Sequence, residues 1–299
     1  MLTSAPVSSS STLQRNHQGA LQGCLEMPRY LSDMEIAERV REQAIHPFRD
    51  LPAPTGWRHV EGTHVIACLE PIPIARVIEP REIAPSDVEA AVAEARAIVR
   101  DNGDSLLIWW LAPEHAWLSE PLERCGLVNK ATPGFEATEN AMALIHGPLG
   151  EAALDVTVEL VENFEAFAAS ERVQAEVFGM TESEGRDAAA ELARRYEQYT
   201  TPGNPLRQFN ALLEDRVVGT ATAVAGAAGL NLFGGSVLPE ARGRGVYRAL
   251  IETRWNLAVE NGTPCLTVQA GRMSRPIVER AGFEFLAAVR VYVDDLALG

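Results

Sequence analysis

Pro239-Glu240-Ala241-Arg242-Gly243-Arg244-Gly245-Val246-Tyr247-Arg248-Ala249-Leu250 lies between two segments of different period. Upstream, Leu230-Asn231-Leu232-Phe233-Gly234-Gly235-Ser236-Val237-Leu238 is an apolar run with a glycine pair inside it, which predicts a strand. Downstream, Val246, Ala249, Leu250, Thr253, Leu257 and Ala258 recur at helical spacing. The later glycines therefore fall where a strand turns into a helix, and there unpaired N–H groups and the positive end of the helix dipole converge on an anion. Gly243 and Gly245 let the backbone approach that anion without a Cβ in the way. Arg242, Arg244 and Arg248 add donors suited to phosphate oxygens. The stretch reads as a diphosphate cradle, with a tight turn carrying solvated arginines as the bland alternative.

Three kinds of cradle compete for it. A Walker loop ends Gly-Lys-Ser/Thr, whereas the only lysine in the chain is Lys130. A dinucleotide fingerprint needs a third glycine and an acidic residue closing the next strand; here Arg248 stands at the former place and Cys265–Gln269 ends without a carboxylate. The third pattern is Arg/Gln-x-x-Gly-x-Gly/Ala, entered from a strand through a proline. Arg242-Gly243-Arg244-Gly245-Val246-Tyr247 matches it except that Tyr247 replaces the last small residue. In this it resembles the coenzyme A pyrophosphate loop of the GNAT superfamily of N-acetyltransferases. The strand-helix-Gly-Phe ending, Leu266 to Phe283, is the second motif of that resemblance, which covers roughly Val156 to Leu296.

The chain of 299 residues has ample length to bury a core. A hydrophobic content of 46% and a charged content of 22% are those of an ordinary globular protein. The formal charge of −15 argues against a nucleic-acid surface or an anionic membrane surface, so the local arginines point to a specific anion site. Cys24, Cys68, Cys125 and Cys265 are scattered without metal spacing and read as reduced, buried residues; no metal is expected. With no span-length apolar run and no signal-peptide order, a cytoplasmic protein is expected.

The fold class expected is α/β (α+β), as two tandem GNAT-like domains, each with a mixed central sheet flanked by helices. Residues 1–28 read as a disordered leader, 29–148 as a degenerate copy and 149–299 as the catalytic copy, with the break at Gly147-Pro148-Leu149-Gly150. An internal repeat supports the division: Ser119-Glu120-Pro121-Leu122-Glu123-Arg124-Cys125-Gly126-Leu127 echoes Ser274-Arg275-Pro276-Ile277-Val278-Glu279-Arg280-Ala281-Gly282-Phe283. Asp101-Asn102-Gly103 and Glu260-Asn261-Gly262 each end a helix before a strand. At the loop position the first copy has Arg81-Glu82-Ile83-Ala84-Pro85-Ser86-Asp87, whose carboxylates and lack of glycine do not suit coenzyme A. The helix after it is expected to open on a capping box of Ser86 and Glu89. Trp57, Trp109, Trp110 and Trp117 are read either as core or as an interaction surface.

The resemblance implies direct acetyl transfer from acetyl-CoA, as co-substrate, to an amine of a small molecule or peptide. Backbone groups of Gly235, Ser236 and Val237 would hold the pantetheine arm, and Arg242, Gly243, Arg244, Gly245, Val246, Tyr247 and Arg248 the pyrophosphate. Gly234 and Gly235 would permit a bulge that opens the strand, or mark a plain irregularity. The family often has a tyrosine four residues before the closing glycine to protonate the departing thiolate; Val278 stands there. Ser274 and Tyr247 are the substitutes, against readings as a helix N-cap and as packing beside the cofactor. Glu176 and Glu182 are weighed as bases, Cys265 as an improbable nucleophile. A non-catalytic acyl-CoA sensor is the alternative, and a homo-oligomer stays open.

Overall fold

Apolar runs and amphipathic stripes organise residues 33–49, 58–69, 76–132, 134–150, 155–179 and 186–296, which the computed structural model describes. The leader, Cys24, Trp57 and Glu182 lie outside these described residues. The first half comprises α1 (Asp33–Ile45), β1 (Arg58–Glu61), β2 (Val65–Leu69), β3 (Arg76–Pro80), α2 (Val88–Asp101), β4 (Leu106–Leu111), α3 (Ser119–Arg124), β5 (Val128–Asn129) and β6 (Thr138–Leu144). The second comprises β7 (Thr157–Leu160), α4 (Phe164–Phe178), α5 (Arg186–Tyr199), β8 (Leu206–Leu213), β9 (Arg216–Ala225) and β10 (Leu230–Val237). It ends with α6 (Val246–Glu260), β11 (Leu266–Ala270), α7 (Arg275–Arg280) and β12 (Glu284–Asp295).

The strands of both halves join in one mixed sheet, ordered β1-β2-β3-β4-β12-β6-β11-β10-β9-β8-β7, with β5 on β12. Each half contributes one parallel pair, β3 with β4 and β10 with β11, and the remaining pairings are antiparallel. The terminal strands are exchanged. β6 of the first half pairs with β11, and β12 of the second pairs with β4. The expected mixed α/β architecture is thus present, with the two sheets fused at their centre.

The echoed segments fold alike. Cys125-Gly126-Leu127 and Ala281-Gly282-Phe283 end their helices with a left-handed glycine, φ +91° and +102°. In each, the following N–H returns to the same place one turn back, Leu127 to Leu122 O and Phe283 to Val278 O. The apolar stripe of α2, Val88, Ala91, Val92, Ala95 and Val99, is buried as its spacing predicts. The capping box is not formed. Asp87 takes the N-cap place, and the Ser86 hydroxyl donates to the Asp87 carboxylate instead of to the helix.

α1 lies across the junction on the sheet face opposite α6. Its Gln43 donates to Thr267 of β11 and accepts from Ala228 N, while Arg41 donates to Leu286 O of β12. Trp109 and Trp110 are fully buried, and the Trp110 indole N–H is bound to Ile45 O at 2.7 Å. The reading of these two as surface is corrected: β4 is a central strand covered on both faces. Trp117 remains 42% exposed.

Candidate functional site

β10 and β11 run parallel for three pairs, Leu230↔Leu266, Asn231↔Thr267 and Leu232↔Val268, and then part. Beyond Leu232, β10 continues against β9 only, with a register shift between Phe233 and Ser236. Gly234, at φ +56°, takes the left-handed conformation that this irregularity requires. Gly234 and Gly235 are exposed although the residues on either side along β10 are largely buried. An open crevice therefore runs into the sheet between two parallel strands. On the α6 side it is floored by Tyr247: a Cβ at Gly235 would lie 2.8 Å from a carbon of that ring.

The loop that follows pins its geometry with its own side chains. The Arg242 Nε donates to Val237 O at 3.2 Å, tying the loop to the end of β10. Gly243 and Gly245 both have φ +79°, and Gly245 occupies the N-cap without a side-chain cap. The first backbone bond of α6 runs from Ala249 N–H to Gly245 O, so the amides of 245–248 face outward at the positive end of the helix. Arg244 is bound to the Asp155 carboxylate at 3.0 Å and Arg248 to Gly150 O at 2.6 Å. The Arg248 Nε is buried without a partner. The sequence-predicted residues 235–237 and 242–248 are thus brought together around one mouth. Exposed glycines, unpaired amides and this orphan donor suit a diphosphate on an extended arm.

The proton-handling candidates are less concentrated. Ser274 occupies the N-cap place of α7, as one of its two readings has it, but its hydroxyl donates to Gly271 O at 3.3 Å and makes no cap bond to the helix. Val278 is fully buried. Burial pushes the Cys265 thiol up to about 12, which leaves it un-ionised and a poor nucleophile. Glu176 is exposed on α4.

Two residues stand out that the sequence reading passed over. Arg254 of α6 is 1% exposed, yet no carboxylate pairs with it among the described residues. Its Nε donates to Leu250 O and its Nη1 to Thr222 O at 3.3 Å, while Nη2 has no partner. Burial draws its pKa down to about 10, opposed by the nearby Tyr247 hydroxyl. Glu139, at the outer end of β6, is 5% exposed and accepts from Glu136 N at 2.7 Å. Burial raises its pKa to about 7, and the Glu136 charge adds to the rise. The signals were available: Arg254 continues the i, i+4 row Val246, Leu250, Arg254, Ala258, and Glu139 shares the strand period of Ala141 and Ala143. On the opposite face of β6 a cleft of about 430 Å³ is lined by Asn140, Arg272, Arg275 and Glu279, with none of the loop residues.

In the first half the corresponding place is filled. The parallel pairing of β3 and β4 ends at Ile78↔Trp109. The next residue, Glu79, is buried and bound to His46 Nδ1 at 2.8 Å and to Arg49 Nη2 at 2.9 Å. The His46 pKa is raised: burial pulls it down, and the Glu79 hydrogen bond and charge outweigh that.

No family model and no curated protein matches the sequence. Solved structures do match the fold. A GCN5-related N-acetyltransferase from Kribbella flavida superposes with a TM-score of 0.62 at 17% identity, covering 87% of this chain and 95% of that one. A tandem GNAT protein from the clavulanic acid biosynthesis pathway superposes at 0.53 with 13% identity, covering 89% and 96%. A GCN5-related N-acetyltransferase from Sphaerobacter thermophilus gives 0.52 at 14% identity, covering 79% and 81%. The fold is that of the GNAT acetyltransferases. No helix among the described residues is long and apolar enough to cross a membrane.

Proposed function

We propose that the chain is an acyltransferase that moves an acetyl group from acetyl-CoA directly to an amine, with the second half as the acyl-CoA-binding half. The observation that carries this reading is the exposed Gly234–Gly235 segment, opening between parallel strands beside a helix mouth of unpaired amides. The pantetheine arm adds to β10 along Gly235, Ser236 and Val237 as an extra strand, and the diphosphate sits on the amides of 243–248. Fixed in this way, the thioester gains from positioning, and its developing oxyanion from the freed backbone N–H groups of the irregularity. Glu139 adjoins the Asn140↔Ala270 pair that ends β11 beyond the point where it leaves β10, and with its pKa raised to about 7 it is the carboxylate we assign to the acceptor's proton.

The test is calorimetric titration with acetyl-CoA of the wild type and of the Arg242→Ala, Gly245→Glu double variant. The wild type is expected to bind and the variant to lose binding at least about tenfold, because a carboxylate then faces the diphosphate. Equal affinity overturns the reading. Thiol release across an amine panel then separates transfer from a second reading, a non-catalytic acyl-CoA sensor, which buried Val278 favours because the family's tyrosine is missing there.

A further inference from the structure

We infer that the buried Arg254 guanidinium, acting through the Tyr247 hydroxyl, stabilises the sulfur that departs when the thioester is cleaved; this rests on the acyl-CoA reading. A buried cation without a carboxylate costs stability, and an apolar residue of similar volume would pack there at no such cost. What the guanidinium touches suggests why it is present. Its Nη1 holds Thr222 O, and Thr222 pairs with Phe233, the last β10 residue before the register shift. Arg254 therefore lies beneath the point where β10 leaves β11. Tyr247, two turns earlier on the same helix, reaches the same point from the loop side. Its hydroxyl is 3.2 Å from where a Cβ of Gly235 would stand, and Gly235 is exposed in the crevice. The neutral hydroxyl thus faces the open strand edge, and its interaction with Arg254 opposes the effect of burial on the guanidinium.

The step balances without a further reactant. The amine nitrogen attacks the thioester carbon and a C–N bond forms; the C–S bond then breaks and its electron pair goes to sulfur. Tyr247 Oη, whose own pKa burial raises, keeps its proton and donates a hydrogen bond to that thiolate, with the guanidinium adding its positive charge, and the proton shed by the attacking nitrogen leaves to a carboxylate or water. The thiolate of coenzyme A departs as the anion and takes its proton from solvent. Tyr247 is the catalytic residue in this scheme and Arg254 a positioning residue. Together they supply what Val278 cannot.

The test needs no acceptor. Coenzyme A is bound to the full chain, and ionisation of its thiol is followed by ultraviolet thiolate absorbance against pH, with desulfo-coenzyme A as the blank for protein tyrosines. In the wild type the bound thiol is expected to ionise about one pH unit or more below the free thiol, a tenfold shift in the equilibrium. Tyr247→Phe and Arg254→Met should each return it to the free value, and Arg254→Lys should retain part of the shift. An unshifted thiol in bound wild type, or an equal shift in Tyr247→Phe, overturns the proposal while leaving the acyl-CoA reading standing. Should Arg254→Met fail to give a cooperative melt, Tyr247→Phe, which removes one oxygen, decides the matter. Wild type that binds no coenzyme A overturns both.

Discussion

Glu139 carries a carboxyl at a strand position that the period of Ala141 and Ala143 assigns to the covered face, and its pKa moves from 4.5 to about 7. The sign of the linkage follows. Between those two values the folded carboxyl holds its proton while the unfolded one releases it. Stability from this group is therefore full below pH 4.5 and is lost as pH rises through about 7. The loss amounts to roughly 3 kcal/mol at the alkaline end. Glu139→Gln removes the dependence, so urea unfolding at pH 5 and pH 8 should show the variant gaining on the wild type only at the higher pH. An equal gap at both pH values would mean that the carboxyl is already charged in the native state. The same variant should lower kcat and flatten the rise of rate through neutral pH, once an acceptor amine is in hand, with acetyl-CoA affinity unchanged.

At the scale of the element, the crevice depends on β10 and α6 together, and Gly235 is where they meet. A valine there points its branched Cβ at the Tyr247 ring, 2.8 Å away at the first carbon. The site is exposed and its φ lies outside the positive range that glycine requires, so the backbone accepts the change. Gly235→Val must displace the core-packed Tyr247 ring, so it is expected to lower the thermal midpoint but keep a cooperative melt, while lowering acetyl-CoA affinity at least about tenfold, read by calorimetry. Unaltered affinity would place the arm elsewhere. Much of this element was legible: the glycine pair, the loop glycines and the α6 stripe fix a strand, a left-handed turn and a helix by local rules alone. Local rules mislead where neighbours compete. Ser86 and Glu89 have capping-box spacing, but Asp87 between them takes both the cap place and the serine hydroxyl. Arg254 was missed because a charge on an apolar row is read as a flaw in the stripe until its surroundings are known.

For the whole molecule, the repeat was legible in matched helix ends, whereas the joining of the halves was not. Strand period says which face a residue takes and nothing of which strand lies alongside. The ladder shows that β6 has both neighbours, β11 and β12, in the second half, and that β12 lies between β4 and β6 of the first. A chain cut between Pro148 and Leu149 would therefore strand β6 without any backbone partner in the first fragment, and β12 likewise in the second. Unpaired edges expose N–H and C=O groups together with the apolar side chains of Met142, Leu144, Val289 and Val291, all buried in the intact sheet. Residues 1–148 and 149–299 made separately should thus lack a cooperative melt and bind a hydrophobic dye. Mixed or co-expressed, they should assemble one to one, recover the melt and regain acetyl-CoA binding, since the exchange supplies each strand its ladder. If instead the second fragment alone melts cooperatively and binds acetyl-CoA with intact affinity, β11 needs no neighbour from the first half. The division at 148/149 would then separate two independent domains, and the exchanged strands would serve only to join them.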